Sequence, residues 1–558
     1  MNRWVYLIYP ATFAAAAVMR IAAANGGQYR PSDLLVILTA AVAIAVVVTG
    51  LALLLARAVR ADDVVERAAP IAALAVIWFV DFVPLQNALS QVSWRLSREV
   101  VLVPAGVLVS LVVVSWSLRQ PAGRLRGLNR FGAIFGSLLL AFGVIGTIRG
   151  DAASSRVLAH SALARDLSRP VPAGPQSTAN GPLRDIYLII LDGHANARAR
   201  REVLGDSSTA FEDSLRALGF VIPPEATSNY IHTFLSLSSL LNFEQITQIA
   251  NEVRVTSTDF ALPKYLIENN RTARFLKARG YRYLLFPSAW FDATQFSPLA
   301  DSVYVARATF NIREALRRTE LRTVVAQTTL LHPLVRLPKM PDLGEFDALK
   351  DVPSDTAPTF AFAHVMLPHL PYVYDSACRP LRRPITSAEE NDSPEQRAAY
   401  LAQVTCVDRM TLDAVRGILR RSPTPPIILV LADHGSRFTD VRFYEHPESV
   451  SRDFVKERFG AFAAAYVPAG GDSAFTQPIT LVNVFRHVLS YYFGADLPPL
   501  PPEYYVSGAR PYVFYPVPAA MISTVGPSPD PKRGHGETVL KPHGAVVPVT
   551  AQRPAPPR

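Results

Sequence analysis

Five long apolar stretches before residue 150 limit what this chain can fold into more than any other feature. They cover about 4–24, 33–56, 69–89, 99–118 and 131–149. Each is close to the ~20 residues that a helix needs to cross ~30 Å of hydrocarbon. Only 18% of the 558 residues are charged, against roughly 25% in ordinary soluble proteins. We therefore predict a membrane domain of about five helices over residues 1–150, followed by a large soluble part.

Arginine residues indicate which side of the membrane the soluble part occupies. The loops after the second and fourth stretches contain Arg57, Arg60, Arg67, Arg119, Arg124, Arg126 and Arg130. Arginine-rich loops stay in the cytoplasm, so the chain after residue 150 is expected outside. The first stretch contains Arg20 and ends in three alanines, which leaves open whether it is a retained span or a cleaved signal segment. The predicted side is the same in both cases.

The soluble part has the alternating pattern of an α/β protein. Residues 151–184 include the Pro- and Gly-rich RPVPAGPQSTANGP, which predicts a linker. Apolar runs typical of buried strands follow, namely DIYLIIL (185–191), YRYLLF (281–286), TFAFAHVM (359–366), PIILVLA (426–432) and GAFAAAYV (460–467). Helical patterns between them predict a mainly parallel sheet covered by helices over 185–510. The Pro-rich tail, 511–558, is predicted to be disordered.

Acidic residues directly follow two of the predicted strands. Asp192 and Gly193 come after DIYLIIL, and Asp433-His434-Gly435 comes after PIILVLA. Ligands of open α/β sheets bind beyond the carboxyl ends of the strands, and Asp and His are good ligands for Zn²⁺ or Mn²⁺. The pattern therefore predicts a cation site at Asp192, Asp433 and His434. The alternative is a simple turn, since Asp-Gly after a strand is common in turns.

A hydroxyl is predicted at the start of a helix in SNYIHTFLSLSSLL (228–241), where the helix begins near Thr233. Such a hydroxyl is most often an N-cap, yet a helix N-terminus also favours phosphate. A metal that contacted Thr233 would lower the pKa of its hydroxyl and make it a nucleophile. Histidines in HVMLPHLPY (364–372) and at His446 are of a type that binds phosphate or protonates a leaving group.

With these motifs in this order, the chain resembles the alkaline phosphatase/sulfatase superfamily. The likeness is to its membrane-anchored branch, which includes lipoteichoic acid synthases and lipid A phosphoethanolamine transferases, and it extends over about 185–510. The resemblance implies that one divalent ion, Mn, Mg or Zn, is held by Asp192, Thr233, Asp433 and His434. It also implies that Thr233 is the catalytic nucleophile and that His369 and His446 bind substrate.

The same resemblance implies a phosphoryl-group transferase or phosphodiesterase acting on a phospholipid head group or an envelope glycan. The protein would lie in a bacterial inner membrane with its catalytic domain on the periplasmic or extracellular side. Nucleic acid is not expected as a partner, because no basic-aromatic stripe is present and the arginines largely follow the membrane topology. The ligand types leave the metal open, and the sequence leaves the head group and the acceptor open.

Two other functions are a sulfatase and a non-catalytic, sulfatase-like protein. Cys378-Arg379-Pro380-Leu381-Arg382 matches the C-x-P-x-R signature of sulfatases, whose Cys becomes formylglycine. In that family the Cys follows soon after the first metal-binding acid, whereas Cys378 lies 186 residues after Asp192. Thr233 already fills the nucleophile position, so we expect Cys378 to form a disulfide with Cys406 instead. A non-catalytic, sulfatase-like envelope protein is disfavoured because the set of four metal and nucleophile residues is complete.

Overall fold

A computed structural model describes residues 3–59, 61–172, 182–254, 257–289, 291–304, 315–335, 341, 343–352, 357–386, 393–439, 441–522 and 538–543. The chain forms two compact units. The first, here the membrane unit, comprises Met1–His160, Trp290–Asp292 and Arg307–Lys339. The second, here the α/β unit, comprises Ser161–Ala289, Ala293–Ala306 and Met340–Arg558.

The described helices, in chain order, are α1 (Tyr9–Ala24), α2 (Pro31–Ala58), α3 (Val64–Val80), α4 (Phe82–Val92), α5 (Glu99–Arg119), α6 (Ala122–His160), α7 (Ala162–Ser168), α8 (Ala197–Leu204), α9 (Ala210–Ala217), α10 (Thr233–Asn242), α11 (Ile249–Glu252), α12 (Ala261–Glu268), α13 (Arg271–Lys277), α14 (Glu320–Thr328), α15 (His332–Val335), α16 (Gly344–Lys350), α17 (Pro394–Arg421), α18 (Arg452–Phe459), α19 (Leu481–Phe493) and α20 (Ala519–Ile522). Short 3-10 turns cover Arg3–Leu7, Asp292–Thr294, Val441–Tyr444 and Ser473–Thr476.

The described strands are β1 (Ile186–Leu191), β2 (Ala226–Thr227), β3 (Arg282–Phe286), β4 (Ser302–Val303), β5 (Thr359–Val365), β6 (Tyr372–Tyr374), β7 (Pro380–Ile385), β8 (Ile427–Leu431), β9 (Ser449–Val450), β10 (Ala463–Tyr466), β11 (Ile479–Thr480), β12 (Tyr505–Val506), β13 (Tyr515–Pro516) and β14 (Thr538–Val539).

The prediction of about five membrane helices is confirmed. Four helical segments are long and apolar enough to cross a membrane: Arg3–Ala24, α2, α5 and α6. Helices α3 and α4 pass the same test together but meet at a 70° bend, so they make a fifth span only if the pair is counted as one. The bend lies at Asp81, which pairs with Arg20 at 2.5 Å, and Pro84 has no backbone N–H to continue the α3 hydrogen-bond ladder.

Small residues let α1 and α6 pack closely within the membrane unit. A Cβ added at Gly136 would lie 2.4 Å from the hydroxyl of Thr12, and one at Gly143 would lie 2.8 Å from Cβ of Met19. Only glycine permits this approach, which is a common way for membrane helices to associate. Helix α6 runs on to His160 and α7 follows, with Ser161 Oγ accepting from the amide of Ala164. The expected linker, 151–184, is therefore helical over much of its first half.

The α/β unit is built on a six-stranded sheet in the order β10-β8-β1-β5-β3-β4. Neighbouring strands are parallel except for β10, which runs antiparallel to β8 at the edge. Strands β1, β5 and β8 are buried along their whole length, as expected for strands covered on both faces. This confirms the predicted mainly parallel sheet and brings the carboxyl ends of three adjacent central strands to one edge.

The prediction of a disordered tail over 511–558 is wrong for its described parts. Val517, Ile522 and Leu540 are buried in a cluster with Phe443 and Phe454. The apolar side chains between the prolines are numerous enough to pack, which the absence of a regular period concealed. Residues 523–537 and 544–558 lie outside the described residues.

Candidate metal centre and nucleophile

Three neighbouring strands of the α/β unit each bring polar side chains to the same edge of the sheet. Asp192 follows β1, His364 is the penultimate residue of β5, and Asp433 and His434 follow β8. All four side chains are at most 1% exposed. Ligand atoms of Asp192, His364 and Asp433 lie within 4.8 Å of one another. The parallel sheet thus assembles an Asp/His cluster from residues up to 242 positions apart.

These residues fit a divalent cation. In the described part of the chain, Asp192 Oδ1 and Asp433 Oδ2 are buried without a hydrogen-bond partner. His434 Nε2 lies 3.9 Å from the first oxygen and 3.2 Å from the second. Buried carboxylate oxygens without partners are unfavourable unless a cation or donor compensates them. Two oxygens and one nitrogen suit Zn²⁺ or Mn²⁺ equally, so the donor set does not identify the metal.

The electrostatics of the cluster also favour a cation. Burial raises the pKa of Asp433, and the negative charge of Asp192 raises it further. Burial also acts to raise the pKa of Asp192, but His369 and His364 outweigh this effect and hold that pKa well below its usual range. Two carboxylates this close resist being ionised together unless a positive charge lies between them. Burial, followed by the charge of Arg458, lowers the pKa of His434, so this imidazole is neutral and able to act as a ligand.

Thr233 is brought to the cluster by helix α10. Its Oγ1 lies 3.1 Å from Nε2 of His434. The hydroxyl is not the cap of the helix, because His232 occupies the N-cap position and makes no side-chain cap bond. One turn further on, Ser236 Oγ donates to the carbonyl of Asp433 at 2.5 Å and ties the helix to the end of β8. The N-cap alternative for Thr233 is therefore not what the structure shows.

Two glycines shape the loops that hold the cluster. Gly193 has a φ of +70°, a conformation that residues with a Cβ rarely adopt. Its amide donates to Asp433 Oδ1 at 3.0 Å and links the two acidic residues. At Gly435 an added Cβ would lie 1.9 Å from the carbonyl oxygen of Glu457. Gly193 is thus required by the conformation of the turn after Asp192, and Gly435 is required by close packing after His434.

The sequence predicted a general role for His364, as one of the histidines that could bind phosphate or protonate a leaving group, but not a contact with Asp192. Its Nε2 lies 3.2 Å from Asp192 Oδ2, and its Nδ1 lies 2.8 Å from the hydroxyl of Thr294. The sequence feature that could have identified this contact is the position of His364 at the end of a buried strand, the same criterion that identified Asp192.

Arg458 was missed entirely. Its guanidinium is buried and donates to the carbonyls of Ile231 and Gly435 at 2.6 and 3.0 Å. It also lies 3.1 Å from Nδ1 of His434. The residue sits in a charged segment, RDFVKERF (α18), that looks like a solvent-facing helix in the sequence. No local pattern distinguishes it from the other charged residues of the helix, and only packing places its charge beside the cluster.

The two predicted substrate-binding histidines lie in different surroundings. The charge of His369 acts on the pKa of Asp192, and a Cβ on Gly193 would lie 3.8 Å from His369 Cα, so this histidine is beside the cluster. The side chain of His446 is 63% exposed and pairs with Glu448 at 3.2 Å. Within the described residues the structure does not bring His446 to Asp192 or Asp433, and its role stays a prediction.

Helix α17 supports the loop that follows β1. The hydroxyl of Tyr400 accepts from the amide of Ala195 and donates to the carbonyl of Gly193, both at 2.9 Å. Asp408, two turns further on, lies 2.8 Å from Nε2 of the buried His194. These contacts hold the turn that carries Asp192.

The same helix supports the loop that follows β5. The side-chain amide nitrogen of Gln403 lies 3.1–3.3 Å from the carbonyls of Pro368, His369 and Pro371. Its Oε1 accepts from the amides of Val373 and Tyr374 at 2.8 and 3.2 Å. One turn later, Cys406 forms a disulfide with Cys378, which leaves Cys378 unavailable for conversion to formylglycine.

The fold and site define a class: an α/β protein with a buried Asp/His cluster at the carboxyl edge of a parallel sheet and a hydroxyl at a helix start. Neither a family model nor a curated protein matches the sequence.

Among solved structures, the chain is similar to the C-terminal periplasmic domain of EcEptC from Escherichia coli in complex with Zn. The two are 14% identical, the match covers 59% of this chain and 87% of that one, and the TM-score is 0.38. It is also similar to the C-terminal periplasmic domain of phosphoethanolamine transferase EptC from Campylobacter jejuni, with 12% identity, coverage of 56% and 90% and a TM-score of 0.35. A protein in the alkaline phosphatase superfamily from Vibrio parahaemolyticus matches with 12% identity, coverage of 63% and 81% and a TM-score of 0.36. Likenesses at these identities and TM-scores carry no argument about activity.

Proposed function

We propose that the protein is a membrane-anchored, metal-dependent phosphoryl-group transferase or phosphodiesterase with Thr233 as its nucleophile. One observation carries the proposal. The Thr233 hydroxyl lies 3.1 Å from His434 Nε2, at a cluster in which two buried carboxylate oxygens have no hydrogen-bond partner among the described residues. A hydroxyl next to a cation site at a helix N-terminus is the arrangement that phosphoryl transfer needs, because that reaction depends on charge neutralisation and a positioned nucleophile.

Asp192, Asp433 and His434 would hold the cation, with Thr233 next to it and His364 orienting Asp192. When bound, the cation supplies positive charge to the phosphoryl oxygens and lowers the pKa of a nearby hydroxyl.

The protein's own groups account for the remaining chemistry. The Thr233 oxygen bonds to phosphorus as the bond to the leaving alcohol breaks, and the resulting phosphothreonine passes its group to an acceptor alcohol or to water. The N-terminus of α10 and the buried charge of Arg458 favour an anionic substrate. The proton that Thr233 loses would pass to water, and His369, beside Asp192, would give a proton to the leaving oxygen.

The membrane unit suggests where the substrate is found. Helices that span the bilayer hold the enzyme at a lipid surface, so a phospholipid head group or an envelope glycan is the proposed substrate class. The arginine distribution supports a position for the α/β unit outside the cytoplasm. The disulfide between Cys378 and Cys406 suits such an oxidising compartment and argues against a formylglycine sulfatase.

The test uses full-length protein in detergent. Metal content is measured by plasma mass spectrometry, and turnover of bis(nitrophenyl) phosphate is measured with Mn²⁺, Mg²⁺ and Zn²⁺. Thr233→Val is expected to reduce kcat by roughly 100-fold or more, as loss of a nucleophile does. Thr411→Val is the matched control, because Thr411 is buried in α17 and its hydroxyl has no hydrogen-bond partner among the described residues. Metal-dependent turnover that persists in Thr233→Val overturns the proposal.

A further inference from the structure

The membrane unit contains an apolar cavity that the proposed reaction does not use. Its volume is about 290 Å³, and its lining includes Ala14 of α1, Ala41 and Ala45 of α2, Val76 and Phe79 of α3, and Leu330. A cavity of roughly half this volume, lined by Leu, Ile and Phe, takes up a benzene ring in an engineered protein. The cavity therefore has room for a hydrocarbon ligand.

The shape of the cavity follows from its small residues. Alanines of α1, α2 and α3 line it together with bulkier residues such as Trp78 and Phe79 of α3. Along α2 the lining runs from Ala41 to Val48, which at 1.5 Å per residue is about 10 Å. A space of this length bounded by helices suits an extended chain better than a compact ligand.

Ion pairs lie at one end of the same helix group. Val80 lines the cavity, and the next residue, Asp81, pairs with Arg20, whose side chain is 58% exposed. Asp33, in the first turn of α2, pairs with Arg322 at 3.0 Å. A further ion pair involves Glu99 at the start of α5, which pairs with His332 at 3.0 Å. The His332 ring stacks on Phe82.

A segment distant in sequence also lines the cavity. Leu330 lines the cavity, and its amide donates to the carbonyl of Phe79 at 2.9 Å. Leu330 lies between α14 and α15, the elements that supply Arg322 and His332 to the ion pairs. The result is an apolar space with a charged end, the same order of polarity as in a phospholipid.

We infer that this cavity is a binding site for one acyl chain of a membrane phospholipid, with the phosphate-bearing head group at the exposed Arg20. Water is a poor occupant, because the lining offers few polar partners. Hydrocarbon is the surrounding medium of membrane-spanning helices. One nitrogen of the Arg20 guanidinium donates to Asp81, and because a guanidinium has five N–H donors, Arg20 can donate to a phosphate oxygen as well. The site lies wholly in the membrane unit and does not depend on the proposed function of the α/β unit.

The test measures lipid retained by the full-length protein after purification and extensive washing in mild detergent, using added phosphatidylethanolamine that carries a photoactivatable acyl chain. Peptides that contain Ala14, Ala41–Val48 or Ala75–Val80 are expected to carry the label. Ala41→Phe, which fills the cavity, is expected to reduce the label at these peptides about tenfold, the effect of losing ~1.4 kcal/mol of binding free energy.

Ala43→Phe is the matched control, because Ala43 lies on the exposed face of the same helix, and it is expected to leave the label unchanged. Ala41→Leu adds less volume and is expected to give an intermediate loss, which separates filling of the site from failure to fold. Arg20→Gln is expected to weaken retention of phosphatidylethanolamine more than that of a diacylglycerol with the same acyl chain. Equal labelling in Ala41→Phe and Ala43→Phe, or label confined to other peptides, overturns the inference.

Discussion

The side-chain amide of Gln403 lies 3.1 Å from the carbonyl oxygen of His369. Through this contact helix α17 holds the loop that follows β5, while Tyr400 on the same helix holds the loop that follows β1 through Gly193. A single helix therefore supports both the turn that carries a cluster acid and the loop that carries a histidine beside it. Residues that touch neither metal nor substrate in the proposed reaction are thus expected to affect it.

Replacement of Gln403 tests this support. Gln403→Glu keeps an acceptor for the amides of Val373 and Tyr374 but loses the donor to His369, so we expect turnover to fall roughly tenfold through loss of positioning. Metal content should not change, because Gln403 touches no cluster residue. Thr405→Ala, on the exposed side of the same helix, serves as the control. An unchanged KM and kcat in Gln403→Glu would show that the loop holds its position without this amide.

Metal removal should destabilise the protein. A bound cation would compensate two facing carboxylates, so a metal present at 100 times its Kd should stabilise the fold by about 2.7 kcal/mol. Asp433→Asn is expected to bind metal poorly and yet to be more stable than wild type in the presence of a chelator, because the repulsion with Asp192 is gone. Thermal melting with and without chelator measures both effects. A wild-type melting temperature that ignores the chelator would contradict the metal site.

Arg458 should be sensitive even to a conservative change. Lysine keeps the charge but lacks the planar fork that reaches the carbonyls of Ile231 and Gly435. We expect Arg458→Lys to lower the free energy of unfolding by about 1–3 kcal/mol, the usual effect of leaving buried groups unsatisfied. Urea denaturation measures the loss. Arg452→Lys is the control, because Arg452 is only half-buried and its guanidinium donates to a single carbonyl, that of Ala520; it should change stability by less than about 0.5 kcal/mol.

His487 should make stability fall in mild acid. Burial, and then the neighbouring charge of Arg486, lowers the pKa of His487 below its usual range. The unfolded state then binds a proton more readily than the folded state, so stability is present above the ordinary histidine pKa of about 6.5 and falls as pH drops below it. Urea midpoints at pH 7.5 and pH 5 should differ less in His487→Phe than in wild type. His160→Phe, at an exposed position, is the control that should keep the wild-type difference.

Local patterns in the sequence were enough to predict the membrane helices, the central strands and the residues that follow them. Hydrophobic length and periodicity are properties of neighbouring residues, so they are readable without a fold. The rule that parallel strands end at one edge then placed Asp192 beside Asp433 and His434, and a hydroxyl at a predicted helix start pointed to Thr233.

Tertiary structure alone decided which distant side chains complete the site. Gln403 and Arg458 lie on helices whose sequences look ordinary, and their roles arise from packing against loops far away in the chain. The bend at Asp81 and the buried parts of the Pro-rich tail likewise depend on partners such as Arg20 and Phe443. Contacts between remote segments follow from how the elements pack, and no local pattern records that packing.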